Sequence, residues 1–301
     1  MFKELATHLT GRHIPIELLP FDFTEVLRAK NYEVSKDQFA IPEEKAKFLT
    51  ILNQYLSNGG YPEIVIKDLQ PRGYLDVLFD AVLFKDVIKR YKVRYAEQVG
   101  RLGSYLIDNV SGLYTIRKLA TTLNFRSGVT LEKYLGYLIE AYVLFSLDGY
   151  SAKAGMRMRS PKKAYMVDNG FVAAKAVQHS PDTGKLMENL VFIELVKRGY
   201  KPNLELFYYK TRNDREIDFV LKNGYKAVEL IQVAYTITTE VEQREVKALV
   251  EAAKELDITN LTLLTWDDTR EVEKDGLVIH VKPLWEWLLE STNFMKSSKV
   301  R

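Results

Sequence analysis

The hydrophobic period changes once along this chain, and that change limits the fold more than any other feature. From Glu43 to Tyr142 apolar residues recur at helical spacing. Phe48, Leu52, Tyr55 and Leu56 form one set, Tyr74, Leu75, Leu78, Val82, Phe84 and Ile88 a second, and Leu131, Tyr134, Leu135, Leu138 and Tyr142 a third. A period near 3.6 gathers each set on one helix face. From Lys163 onward, short strand-like runs alternate with longer helical ones. The pattern predicts strands at Ala164–Val167, Leu206–Lys210, Glu216–Lys222, Tyr225–Ala234, Leu261–Trp266 and Leu277–Val281. It predicts helices at Gly184–Gly199, Glu240–Glu255 and Pro283–Leu289. The fold class is therefore α/β: a helical N-terminal region, then an α/β domain with a mixed sheet. The 301 residues suit two compact domains.

Residues 1–45 read as an end-piece, with a short alternating stretch at Ile14–Phe21 closed by Pro20. Residues 46–97 form a helical region, interrupted by Asn58-Gly59-Gly60. Its end carries Lys85, Lys89, Arg90, Lys92 and Arg94 against the single acid Asp86, which reads as a solvated basic face. Residues 98–163 have the order helix (Val99–Asn109), short helix (Thr115–Leu123), turn (Asn124–Gly128), helix, then hairpin. That is the layout of a winged helix. The expected wing, Ser151–Lys163, holds Lys153, Arg157, Arg159, Lys162 and Lys163 and no acid, so these five are the candidate nucleic-acid-binding residues. The third helix exposes Glu132, Lys133 and Glu140 and is not basic. A protein-interaction role is the alternative for this region.

Several chemistries are excluded by what the chain lacks. It has no cysteine, so disulfides, thiolate metal sites and cysteine nucleophiles are absent together. His8, His13, His179 and His280 show no HExxH or similar ligand spacing, which leaves carboxylates as the ready metal ligands. Net charge is +3, so affinity for nucleic acid has to come from local patches. No apolar run approaches the ~18 residues of a membrane span, and no signal peptide is evident, so a cytoplasmic location is expected. The Gly-Lys pair Gly184-Lys185 is followed by Leu186 and lacks an upstream glycine, so it is not a Walker A loop.

Two carboxylates stand out. Glu188 falls among Val191, Phe192 and Leu195, while Glu194, Lys197 and Arg198 share the opposite side, expected to face solvent. A carboxylate with apolar neighbours must be paired, protonated or metal-bound. Asp218 lies in Glu216-Ile217-Asp218-Phe219-Val220, where alternation sets Glu216, Asp218 and Val220 on one face. A two-residue turn at Asn223-Gly224 would set Glu229 opposite Asp218. A three-residue loop, Lys222-Asn223-Gly224, would bring Val228, Leu230, Gln232 and Ala234 to that face instead, and is favoured because it lets Glu229 point outward. Arg244-Glu245 follows the N-cap candidate Thr239 and reads as an ion pair fixing helix to sheet.

The run Gly184–Leu195, with Glu216–Val220, Leu230–Tyr235 and Arg244-Glu245, resembles an archaeal and bacterial family that joins an AAA-type ATPase core to a C-terminal domain of unknown function. Gly59-Gly60-Tyr61-Pro62-Glu63, Lys162–Gly170, Leu9–Arg12 and Pro20–Glu25 match as well. The last two resemble the junction where that family's ATPase core ends; the Walker-containing portion is not among these residues. The resemblance implies a restriction-endonuclease-like, PD-(D/E)XK fold from residue 164 to 301. It makes Glu188 the helix glutamate and Asp218 the metal-binding aspartate, with possible Mg²⁺ ligation by both. Gln232 and Ala234 then fall where the pattern wants Glu and Lys. Such a centre uses carboxylate-held Mg²⁺ to activate water, and a lysine charge near the developing oxyanion. Lys226 or Lys210 are the neighbours that could replace the lost lysine. The centre Glu188, Asp218, Gln232 is thus expected to be degenerate.

The expectation is a non-catalytic accessory region of an AAA-type ATPase that engages DNA or a partner protein, with ATP relevant only where the ATPase core is present. A Mg²⁺-dependent DNA endonuclease and a pure protein-interaction or oligomerisation module are the alternatives.

Overall fold

The computed structural model describes residues 16–34, 39, 41–151, 155, 157, 160–176 and 182–297. Ile14 and Pro15 of the expected N-terminal strand lie outside them, and Ile16–Phe21 is not a strand. Helix α1 (Phe23–Ala29) opens on a capping box in which Asp22 accepts from the Glu25 amide and Glu25 accepts from the Asp22 amide. Helices α2 (Pro42–Asn58), α3 (Pro62–Lys67) and α4 (Pro71–Val82) each start on a proline, where its missing N–H costs nothing. The chain continues from α4 into a π-helical segment, Leu83–Lys89.

Next come α5 (Ala96–Asp108), β1 (Leu113–Tyr114), α6 (Ile116–Thr122), α7 (Gly128–Glu140), β2 (Leu144–Asp148) and β3 (Lys162–Met166). The three strands form a small antiparallel sheet in the order β1-β3-β2. Thr115 and Ser127 cap α6 and α7 by accepting from amides three residues on. The expected boundary between residues 163 and 164 falls inside β3. That strand pairs with the helical half while Lys163 and Tyr165 reach the α/β half.

The second half contains α8 (Asn169–Lys175), α9 (Thr183–Lys197), β4 (Leu206–Lys210), β5 (Glu216–Asn223), β6 (Lys226–Val233) and α10 (Thr239–Leu256). It closes with β7 (Leu261–Thr265), β8 (Arg270–Lys274), β9 (Leu277–Pro283) and α11 (Leu284–Ser297). The six-stranded sheet has the order β4-β5-β6-β7-β9-β8. It is mixed: β6, β7 and β9 run parallel, and the remaining pairs are antiparallel. Alternation along the strands divides the core. Phe219, Ile231 and Leu264 face a core shared with α9, α11 and the helical half, while Val220, Leu230 and Leu263 pack beneath α10.

Three local expectations change. The β5–β6 hairpin turns at Gly224-Tyr225, with Asn223 opposite Lys226 and a bulge between Leu221 and Lys222, so the Lys222–Gly224 loop does not form. Thr238, rather than Thr239, caps α10 by accepting from the Val241 amide. Pro283 ends β9 instead of starting the last helix.

The two glycine-containing motifs of the helical half and of residues 162–170 meet in space. Asp168 caps α8 by accepting from the Gly170 amide at 2.7 Å, and its other oxygen accepts from the Gly60 amide at 2.8 Å. A Cβ on Gly59, whose φ is +78°, would lie 1.7 Å from the Asp168 carboxylate. Only glycine lets the α2–α3 turn come this close.

Candidate functional site

The side chain that organises the α/β half comes from outside it. Lys163 on β3 is 0% exposed. Its Nζ lies 2.7 Å from Glu188 Oε1, 2.9 Å from Asp218 Oδ1 and 2.7 Å from Glu216 Oε1. The expectation that Lys163 is a wing cation facing nucleic acid is therefore corrected. Its ammonium is enclosed by three carboxylates, and an ammonium can be buried only with such partners.

Each carboxylate is fixed by its own element. Glu188 sits on α9 and accepts also from the Tyr165 hydroxyl at 2.7 Å; the Tyr165 ring stacks on Phe192 at 4.1 Å. Asp218 on β5 gives its second oxygen to the Val233 amide at 3.0 Å. Gln232 stands across the hairpin from Asp218, as the favoured face assignment required, although the loop that produces this register is different. Its amide oxygen accepts from the Asp218 N–H at 3.1 Å, and its NH₂ donates to Glu245 at 2.7 Å. Arg244 Nε then donates to Glu245 at 2.8 Å, but both residues lie on α10, so the expected ion pair stays within the helix and the Glu245–Gln232 bond is what ties α10 to the sheet. Glu229 lies on the other face and accepts from Thr262.

These residues line a cleft of about 810 Å³ between the start of α9, the β5–β6 pair and α10. Glu188, Asp218, Gln232 and Ala234 all border it, with Arg215, Arg244 and Lys185 among the other lining residues. Burial pushes Glu188 up to about 8, with the Asp218 charge adding to it; the Lys163 ammonium and the Lys163 and Tyr165 hydrogen bonds oppose this. Burial alone would lower Lys163, but Asp218, Glu188, Tyr165 and Glu216 outweigh it and hold the lysine well above its ordinary value. One ammonium among three carboxylates leaves surplus negative charge, which a proton on Glu188 relieves.

The donor set does not suit Mg²⁺. The Lys163 ammonium takes the point that Glu188, Asp218 and Glu216 share, and Gln232 directs its oxygen to a backbone amide. Ala234 offers no charge, Lys210 is engaged by Asp214 at 2.8 Å, and Lys226 is exposed at the hairpin turn. The lysine of the site is therefore Lys163, which strand alternation could not find because it lies 55 residues from Asp218 in the chain.

Lys162 is paired with Asp148 at 2.6 Å, and Arg157 donates to the Ser151 carbonyl at 2.6 Å. Lys153 and Arg159 lie outside the described residues. Glu194, expected on the solvent side of α9, is 3% exposed, and one of its oxygens has no hydrogen-bond partner. Its other oxygen meets Arg198 Nε at 3.1 Å. The wheel misassigned it because α9 is enclosed on all sides, so no face of its central turns is free for solvent.

Fold and site together define a chain of two halves locked by a buried lysine–carboxylate cluster. The family of unknown function DUF8612 matches residues 49–182, and DUF4143, also of unknown function, matches residues 183–287. Uncharacterized archaeal and bacterial proteins are similar over nearly the whole chain. One from Methanocaldococcus jannaschii is 34% identical over 299 residues, covering 95% of this chain and 66% of its own length. One from Haemophilus influenzae is 28% identical over 296 residues, covering 95% of this chain and 68% of its own. The chain thus spans about two thirds of the length of the curated relatives it matches. Among the described residues no helix is long and apolar enough to cross a membrane.

Proposed function

We propose that this chain is a non-catalytic accessory region of an AAA-type ATPase, engaging DNA or a partner protein. In this reading residues 98–163 act as a winged helix, and the α/β half is a PD-(D/E)XK nuclease-like domain whose centre has become structural. The observation that carries it is the Lys163 ammonium in direct contact with Glu188, Asp218 and Glu216. A cluster satisfied internally holds two halves together; it leaves no ligand positions for an ion or a scissile phosphate. ATP enters the activity only through an associated ATPase core. A Mg²⁺-dependent DNA endonuclease is the second reading, favoured by the convergence of Glu188, Asp218 and a lysine on one cleft.

The test is incubation of the purified chain with Mg²⁺ or Mn²⁺ and supercoiled, linear, single-stranded and branched DNA, with Asp218→Ala alongside. The expected result is no cleavage by either protein. Cleavage by the wild type that disappears in the variant establishes the endonuclease instead.

A further inference from the structure

Of the basic residues expected on the wing, Lys163 is buried and Lys162 is paired with Asp148, whereas the run from Lys85 to Arg94 is displayed from a fixed backbone frame. Phe84–Tyr95 contains five basic residues against one acid, a net +4 within a chain whose total is +3. Leu83 and Val87 bury the inner side of the π-helical segment. Tyr91 stacks on Tyr137 of α7 with ring centroids 3.8 Å apart and donates to Glu140 at 2.5 Å. The segment is thus pinned on two sides, and Lys85, Lys89, Lys92 and Arg94 are left exposed. Among the described residues none of these four forms an ion pair with a carboxylate. Phe84 and Tyr95 are exposed beside them, at 59% and 51%.

Two backbone features accompany this charge. A π-helical stretch is rare and frequently marks a functional site. The chain then reverses at Lys92, whose φ is +49°, a conformation that glycine or asparagine adopts more cheaply. A lysine held there places a cation at the apex of the turn at a cost in backbone energy. Exposed cations without carboxylate partners, beside Phe84 and a Tyr95 ring that Arg94 overlies at 5.3 Å, complement a polyphosphate strand. A membrane surface would need a broad apolar face, and here the apolar side of the segment is already buried in the core.

We infer that Phe84–Tyr95 is the nucleic-acid-binding surface of this chain, contacting the phosphodiester backbone through Lys85, Lys89, Lys92 and Arg94. The inference rests on the DNA-engaging form of the proposed function, but it is independent of cleavage. The test is fluorescence anisotropy with labelled duplex and single-stranded DNA of one length, and with anionic phospholipid vesicles as a third arm. Four phosphate contacts predict an affinity for duplex that falls about 100-fold between roughly 50 and 200 mM salt. The triple variant Lys85→Ala/Lys89→Ala/Arg94→Ala is expected to lose at least about tenfold at the lower salt and to flatten that dependence. Lys92→Gly is expected to weaken binding while its thermal midpoint stays level or rises, which separates a lost contact from a damaged fold. Arg157→Gln is expected to bind as the wild type does. Preference for the single strand would assign Phe84 and Tyr95 to base stacking. Absence of DNA binding by the wild type, undiminished binding by the triple variant, or binding to vesicles alone would each overturn the inference.

Discussion

Helix α9 carries two buried glutamates six residues apart, and their surroundings could hardly differ more. Glu188 shares an ammonium with Asp218 and Glu216 and also accepts from Tyr165. Glu194 has Arg198 on one oxygen and nothing on the other. Arg198 is itself divided, since it also donates to the Trp287 carbonyl and lies 3.7 Å over the Trp287 ring. The first glutamate belongs to a network that joins β3, α9 and β5; the second is held by a local i,i+4 pair. Burial raises the pKa of both. What differs is how much hydrogen bonding each site returns for that burial, and the fuller network stands where the two halves of the chain meet.

Lys163→Met keeps the length of the side chain and removes the charge, leaving Glu188 and Asp218 buried without their cation. A loss of about 3–5 kcal/mol in urea unfolding at neutral pH is expected, because the Asp218 carboxylate stays buried without its cation while Glu188 holds its proton. A loss below about 1 kcal/mol would mean that water or rearrangement replaces the lysine.

Glu194→Gln sharpens the weaker side. The folded carboxyl is raised by burial, so its stabilising contribution is complete below the unfolded-state pKa and disappears as pH rises through the folded one. The wild type should therefore lose stability relative to Glu194→Gln as pH climbs from about 4 toward neutrality. The gap should be smaller than the Lys163 effect, since glutamine retains the acceptor for Arg198. Parallel pH profiles for the two proteins would show that Glu194 finds solvent.

Much of the architecture was legible in the sequence because it depends on local period. Nearly every predicted strand and helix of the second half appears within a few residues of its expected bounds, and the helix–helix–turn–helix–hairpin order of residues 96–166 is present. The misses have physical causes. Strand β8, Arg-Glu-Val-Glu-Lys, is an edge strand with a single apolar residue, so alternation was silent, although Asp275-Gly276 carried a turn signal. Helix α8 is short and buried all along its first turns, which hides its period. The Lys163 cluster was invisible for a different reason: it joins residues from β3, α9 and β5, and charge counting along the chain assigned its lysine to the wing. Gln232 was placed on the right face by the wrong loop, because a bulge and a shorter turn produce the same facing as the longer one expected.

The Lys163 ammonium holds the position a metal ion would need. Mn²⁺ binding to the wild type and to Asp218→Asn, followed by electron paramagnetic resonance at millimolar metal, tests it most directly. No saturable site is expected in the wild type, and no difference between the two proteins. A stoichiometric Mn²⁺ site that disappears with Asp218→Asn would contradict it and return the cleft to metal chemistry.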